Sequence, residues 1–156
     1  MTLDTKWRAS FVRRWHSNAD LCHTVDPIVG HSGRVAIIIN HYWPKCRKEL
    51  ILAAIHHDLP EYITGDVRGD TKRAHPALNA ELSTVEAKAA RDMGITLNLS
   101  PGEERMLKFA DKLDAFMWAR HHAPHVLEQD DWQKAGRWLD MEAESLGLNN
   151  PERKAA

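Results

Sequence analysis

The sequence predicts an all-α fold, a bundle of about six helices in one domain of 156 residues. Three features point that way. Apolar residues recur at three- and four-residue intervals along most of the chain, and no segment alternates apolar and polar residues as a half-buried strand does. Capping and stop signals also fall where the periodic segments begin and end.

Trp7, Phe11, Val12 and Trp15 outline a first helix. Val35, Ile38, Ile39 and Tyr42 outline a second, which begins near His31 and stops before Pro44, because proline pushes its predecessor out of the helical region. A third runs from about Arg47 to Asp58, with Pro60 as its boundary. Residues 60–76 carry Gly65-Asp66, Gly69-Asp70 and Pro76 and read as a structured loop after a short helical turn, a kind of segment that often carries function. Leu78, Leu82, Val85 and Ala89 set a fourth helix from about Pro76 to Met93, ended by Gly94. The fifth has the clearest start. Ser100-Pro101-Gly102-Glu103 combines an N-cap serine, a proline at the first helical position and a glutamate three residues on, after which Met106, Phe109, Leu113, Phe116 and Met117 form the apolar stripe. A last helix from Asp131 to Leu146 carries Trp138 and Met141 and meets Gly147, and Asn149 to Ala156 reads as a frayed tail.

Composition removes several classes of function. Lys and Arg number 21 against 22 Asp and Glu, a formal charge of -1, without the basic surplus that binding to duplex nucleic acid draws on. The longest apolar runs, Val35–Ile39 and Leu50–Ile55, are too short to cross a bilayer. The first residues show neither a secretory nor a transit pattern, so a cytoplasmic location is expected. Cys22 and Cys46 fall in no CxxC; they are expected to stay reduced and pack as small hydrophobes. GxGxxG, P-loop and HExxH motifs are absent. Gly30-His31-Ser32-Gly33 superficially resembles a nucleophile elbow, but its second glycine comes one residue early and no strand precedes it.

The unusual counts are ten His and six Trp. Among the histidines, His31 opens the second helix and the pair His57-Asp58 closes the third, while Asp111 lies a turn or two into the fifth. Two imidazoles and two carboxylates suit one divalent ion with coordination positions left open for substrate. Successive helical residues point about 100° apart, so His57 and Asp58 can face one ion only where their helix ends, and Pro60 supplies that ending. Isolated acids in an interior would be costly without such a cation.

The order His, His-Asp, Asp on helices resembles the HD-domain metal-dependent phosphohydrolases. More closely, the chain resembles the small bacterial 5′-deoxynucleotidases of the YfbR type and the phage dATP triphosphohydrolases similar to them. The resemblance rests on Arg14-Trp15, Gly30-His31-Ser32, His57-Asp58-Leu59-Pro60-Glu61, Thr64-Gly65-Asp66 and Lys108-Phe109-Ala110-Asp111, which together span residues 14 to 111. It implies a helical HD bundle around one metal site, a divalent cofactor (Mn, Co, Mg, Zn or Ni) on His31, His57, Asp58 and Asp111, and a deoxynucleotide substrate. Glu61 resembles the family's catalytic acid or base. Asp66 resembles the residue used near the sugar and the attacking water, with an Asx turn as its structural alternative. Arg14 offers a forked donor to phosphate, Lys72 and Lys108 offer point charges, and Trp15 resembles the tryptophan that packs on the deoxyribose. The other five tryptophans are expected in the core, and the remaining histidines, including the cluster His121-His122-Pro124-His125, are assigned no metal.

The chain departs from relatives in having Gly30 where an acid often precedes the first metal histidine, and Ser17 where a bulkier apolar residue would floor the base. Arg14, Lys72 and Lys108 together tip the expected reaction towards release of triphosphate from a dNTP such as dATP, with phosphate removal from dNMPs as the alternative. A helical nucleotide-binding or assembly module without activity is the alternative from another class, and a nuclease of short single strands a third. The resemblance further implies a homo-oligomer, a dimer or larger, in the host cytoplasm if the source is a phage.

Overall fold

A computed structural model describes residues 2–148, so the tail expected to fray, Asn149 to Ala156, lies outside the described residues. Within them the chain is all-α: α1 Leu3–Ala9, α2 Ile28–Tyr42, α3 Lys48–His56, α4 Glu61–Thr64, α5 Gly69–Ala74, α6 Pro76–Asp92, α7 Pro101–His122 and α8 Asp130–Ser145, with a 3-10 turn at Pro124–Glu128. No helix among them is long and apolar enough to cross a membrane.

The first helix is shorter than its periodicity suggests. It ends at Ala9, and Phe11, Val12 and Trp15 lie beyond it. Residues 10–14 instead run beside residues 26–29: the amides of Ile28, Val29 and Arg14 bond the carbonyls of Val12, Ser10 and Asp26 at 2.9–3.1 Å. Long-range pairing has overridden a weak local preference. The same pairing moves the start of α2 a turn ahead of His31, where the Pro27 carbonyl accepts from the amides of Gly30 and His31. Ile28 is thereby buried with Ala9, Leu59, Met93 and Ile95.

The site rests on α2, α3 and α7. Val35 and Ile39 of α2, Leu50 and Ala54 of α3 and Ala110 of α7 form one buried cluster. Further along α7, Phe109, Leu113 and Phe116 pack on Leu139 and Ala143 of α8. The start of α7 is the capping box that its sequence announces: the Ser100 hydroxyl accepts from the Glu103 amide, and the Glu103 carboxylate accepts from the Ser100 amide at 2.8 Å.

The segment read as a loop after a helical turn contains two short helices, α4 and α5. Gly65 ends α4 at φ 73°, a conformation that excludes most side chains. Helix α6 forms where expected, yet only Ala89 of its apolar stripe is fully buried, and Leu78 and Val85 are exposed. The other tryptophans are less deeply placed than expected. Trp43, Trp118, Trp132 and Trp138 are half-buried and Trp7 is exposed, since a ring so large rarely disappears entirely into a domain of this size. Both cysteines are free, but Cys22 is exposed rather than packed.

Candidate metal centre and active site

His31 is fully buried on α2, His57 caps the C-terminus of α3 with Asp58 next to it, and Asp111 projects from α7. The end of α3 at His56 lets His57 and Asp58 turn towards the same point. One donor atom from each of the four residues lies within 4.8 Å of every other. His31 Nε2 is 3.2 Å from His57 Nε2, 3.2 Å from Asp111 Oδ1 and 3.3 Å from Asp58 Oδ2. Donors about 2.1 Å from a common ion, at angles between octahedral and tetrahedral, are about 3.0–3.4 Å apart. The donor set therefore fits a divalent cation.

The other ring nitrogens support this assignment. His57 Nδ1 lies 2.9 Å from the Ala54 carbonyl, which can only accept, so Nδ1 carries the proton and Nε2 a lone pair. His31 Nδ1 lies 2.7 Å from Asp114 Oδ2. Metal-binding histidines are commonly held in this way. Burial lowers the His31 pKa, but hydrogen bonds to Asp111, Asp114 and Asp58 outweigh it and push it up to about 10. Burial likewise opposes the charge on Asp58, yet His57, His31 and Arg14 hold its carboxyl below the ordinary range. Both shifts say that the convergence point demands positive charge, which a proton or a divalent ion can supply.

Glu61 opens α4, and its Oε2 is buried without a hydrogen-bond partner. Burial, reinforced by the charges of Asp58 and Asp66, pushes its pKa up to about 9 against the pull of Lys72. Glu61 thus holds a proton at neutral pH next to the donor cluster. Lys72 sits 3.7 Å from both Glu61 Oε1 and Glu86 Oε1. Asp66 does not serve mainly as an Asx turn: its Oδ2 accepts from the backbone amide of Trp15 at 2.8 Å, 51 residues away in sequence. That bond helps fix Trp15 at φ 65°, a costly conformation for a bulky residue, while Trp15 Nε1 donates to Asp26 at 3.2 Å.

Arg14 is buried, with Nη1 3.2 Å from Asp26 and 3.5 Å from Asp114, and its guanidinium lies over the Trp15 ring. Lys108 lies apart from it. It lines a cavity of about 250 Å³ beside the cluster together with His57, Asp111, Leu97, Leu99, Glu104 and Leu107, and its ammonium stands 5.7 Å from the Trp138 ring. The structure therefore gathers His31, His57, Asp58 and Asp111, and brings Glu61 and Arg14 into their field. Asp66 and Trp15 are joined to each other, Lys72 is joined to Glu61, and Lys108 approaches from the cavity side. Of the histidines given no metal, His121 and His122 line a second cavity of about 630 Å³ between α2 and α7.

Three residues escaped the sequence reading: Asp26, Arg34 and Asp114. Arg34 Nε donates to Asp114 Oδ1 at 2.6 Å and its Nη2 to Asp26 at 2.9 Å, tying together two fully or nearly buried carboxylates. Gly30 lies against this pair: a Cβ there would stand 3.4 Å from Arg34 Nη1 and 3.6 Å from Asp26 Oδ1, ordinary van der Waals contact. A signal existed for two of the three, since Arg34 and Asp114 each lie three residues, about one helical turn, beyond a residue of the converging set.

A family model described as YfbR-like, 5′-deoxynucleotidase YfbR-like, matches residues 6–125. No curated protein and no solved structure matches the chain.

Proposed function

We infer the function of this chain from the family to which it belongs, the YfbR-like 5′-deoxynucleotidases, HD-domain phosphohydrolases. The chain is a hydrolase, and we propose that it removes the 5′-phosphate from 2′-deoxynucleoside monophosphates with the help of one divalent ion. The observation that carries this reading is the convergence of His31, His57, Asp58 and Asp111 on one point inside the matched span.

These four residues would hold the ion, which when bound supplies a Lewis acid that activates water and polarises a phosphoryl oxygen. Glu61 delivers or receives the proton: burial beside Asp58 and Asp66 raises its carboxyl, which suits it to exchange a proton with a departing oxygen or with water. Arg14, held rigid by Asp26 and Asp114, adds fixed positive charge near the phosphate. Trp15, pinned by Asp66 and Asp26, offers a rigid aromatic wall for the sugar. Asp66 acts on the reaction through Trp15 and through its charge on Glu61.

The expectation of a triphosphate substrate rested on three cations, and most of that charge is already matched within the protein. Arg14 faces Asp26 and Asp114, and Lys72 faces Glu86, which leaves Lys108 at the cavity. One phosphate suits this balance better than three. Incubating the chain with dNMPs, dNTPs and the matching ribonucleotides in Mn, Co or Mg should release inorganic phosphate from dNMPs. Tripolyphosphate release from dNTPs, with dNMPs untouched, would reverse the assignment.

We also propose that copies of the chain associate, with the exposed Leu3, Trp7 and Phe11 as apolar surface that association can cover. Sedimentation at assay concentration should give a dimer or larger, and a monomer would remove this part of the reading.

A further inference from the structure

We propose that Asp114 is a positioning residue for the metal centre, fixing the tautomer and orientation of His31 so that the Nε2 lone pair faces His57, Asp58 and Asp111. This rests on the metal-dependent reading above and extends it to a residue outside the donor set. His31 has no exposed surface, so water cannot replace a lost partner at Nδ1. The Asp114 carboxylate occupies that position at 2.7 Å. A carboxylate accepts only, so in the neutral imidazole that a cation requires, Nδ1 is the protonated nitrogen and Nε2 keeps the lone pair. The opposite tautomer would aim an N–H at His57 Nε2, 3.2 Å away, and no ion could bind there.

Asp114 is itself held in place. Its Oδ1 accepts from Arg34 Nε at 2.6 Å, its Oδ2 from Arg34 Nη2 at 3.1 Å, and Arg14 Nη1 stands 3.5 Å away. Arg34 is anchored on its other side by Asp26 and stacked over Trp118, 4.3 Å from the ring centroid. Two guanidinium groups and two carboxylates form a matched set. Arg34, bonded to both oxygens of Asp114, prevents the carboxylate from swinging away from His31.

Replacing the carboxylate by an amide separates positioning from bulk structure. In Asp114→Asn one of the two faces, towards Arg34 or towards His31, must receive an NH2 group, and either choice weakens the grip on Nδ1–H or inverts the tautomer. Mn(II) and Co(II) affinity, measured by competition with a chelating dye, should fall by about 10- to 100-fold in Asp114→Asn while the circular dichroism spectrum stays that of the parent. Affinity within threefold of the parent in the folded variant would overturn the proposal.

Should the variant not fold, the parent decides. Loaded with Zn(II) and labelled with ¹⁵N-histidine, it should show His31 with its proton on Nδ1 and the ion on Nε2. A proton on Nε2 would overturn the proposal. A parent that takes up none of the three ions would overturn both this proposal and the metal-dependent reading beneath it.

Discussion

His31 and His57 each have one ring nitrogen committed to a protein acceptor and the other aimed at the same small volume. With Asp58 and Asp111 completing the set, loss of one carboxylate should loosen the whole site, whereas loss of Glu61 should leave it intact. Asp58→Ala is expected to lose both the ion and turnover; Glu61→Ala is expected to keep the ion and lose turnover by about 10²–10⁴-fold, the range of a positioned acid or base. Elemental analysis with a phosphate-release assay checks both, and undiminished activity in a metal-free Asp58→Ala protein contradicts the assignment. Glu61 also leaves a mark on stability. Its folded pKa of about 9 stands above the ordinary 4.5, so its protonated form is favoured by the fold. That contribution is complete below about pH 4.5 and is lost as pH rises towards 9. Thermal unfolding in chelator should therefore weaken with rising pH more steeply in the parent than in Glu61→Gln; His31 adds the same trend to both proteins, so the difference between the curves belongs to Glu61. Parallel curves would contradict it. The convergence of His31, His57, Asp58 and Asp111, with Glu61 beside them, was legible in sequence because the resemblance fixed their order. Asp26, Arg34 and Asp114 were not, since which buried acid meets which arginine depends on how α2 and α7 dock.

At the scale of elements, capping chemistry proved more informative than periodicity. Ser100 to Glu103 specifies the start of α7 through short-range bonds that no distant contact disturbs. Arg47 strengthens it: hydrogen bonds from Arg47, and then from the amide and hydroxyl of Ser100, bring Glu103 down to about 2. A depressed carboxyl stabilises above its ordinary pKa of 4.5 and loses that effect as pH falls towards 2, so Glu103→Gln should flatten the acid side of the stability profile. Ser100→Ala should cost about 1 kcal/mol, or about 3 °C in Tm. An unchanged melting curve in both variants would show that the cap contributes nothing. The first helix shows the opposite case. Trp7, Phe11, Val12 and Trp15 have helical spacing, yet backbone pairing with residues 26–29 and the Asp66 bond to Trp15 draw the later three into an irregular path. Those partners are remote in sequence, and no local pattern announces them.

Across the whole molecule, the fold presents acids to one point and then balances them in two ways. Arg14 and Arg34 neutralise Asp26 and Asp114 behind His31, whereas Asp58 and Asp111 look to a positive charge among the four donors. The all-α class was legible because α2, α3 and α7 each carry a clear apolar stripe into a shared core. Of the two short helices between α3 and α6, α4 was legible as the helical turn after Pro60, whereas α5 was not, since it buries no complete residue. Anomalous diffraction from crystals grown with Co(II) tests the central claim most directly. The account requires a single strong cobalt peak among His31 Nε2, His57 Nε2 and the carboxylates of Asp58 and Asp111. Crystals rich in Co(II) that show no peak there, or show the ion bound elsewhere on the chain, would contradict it.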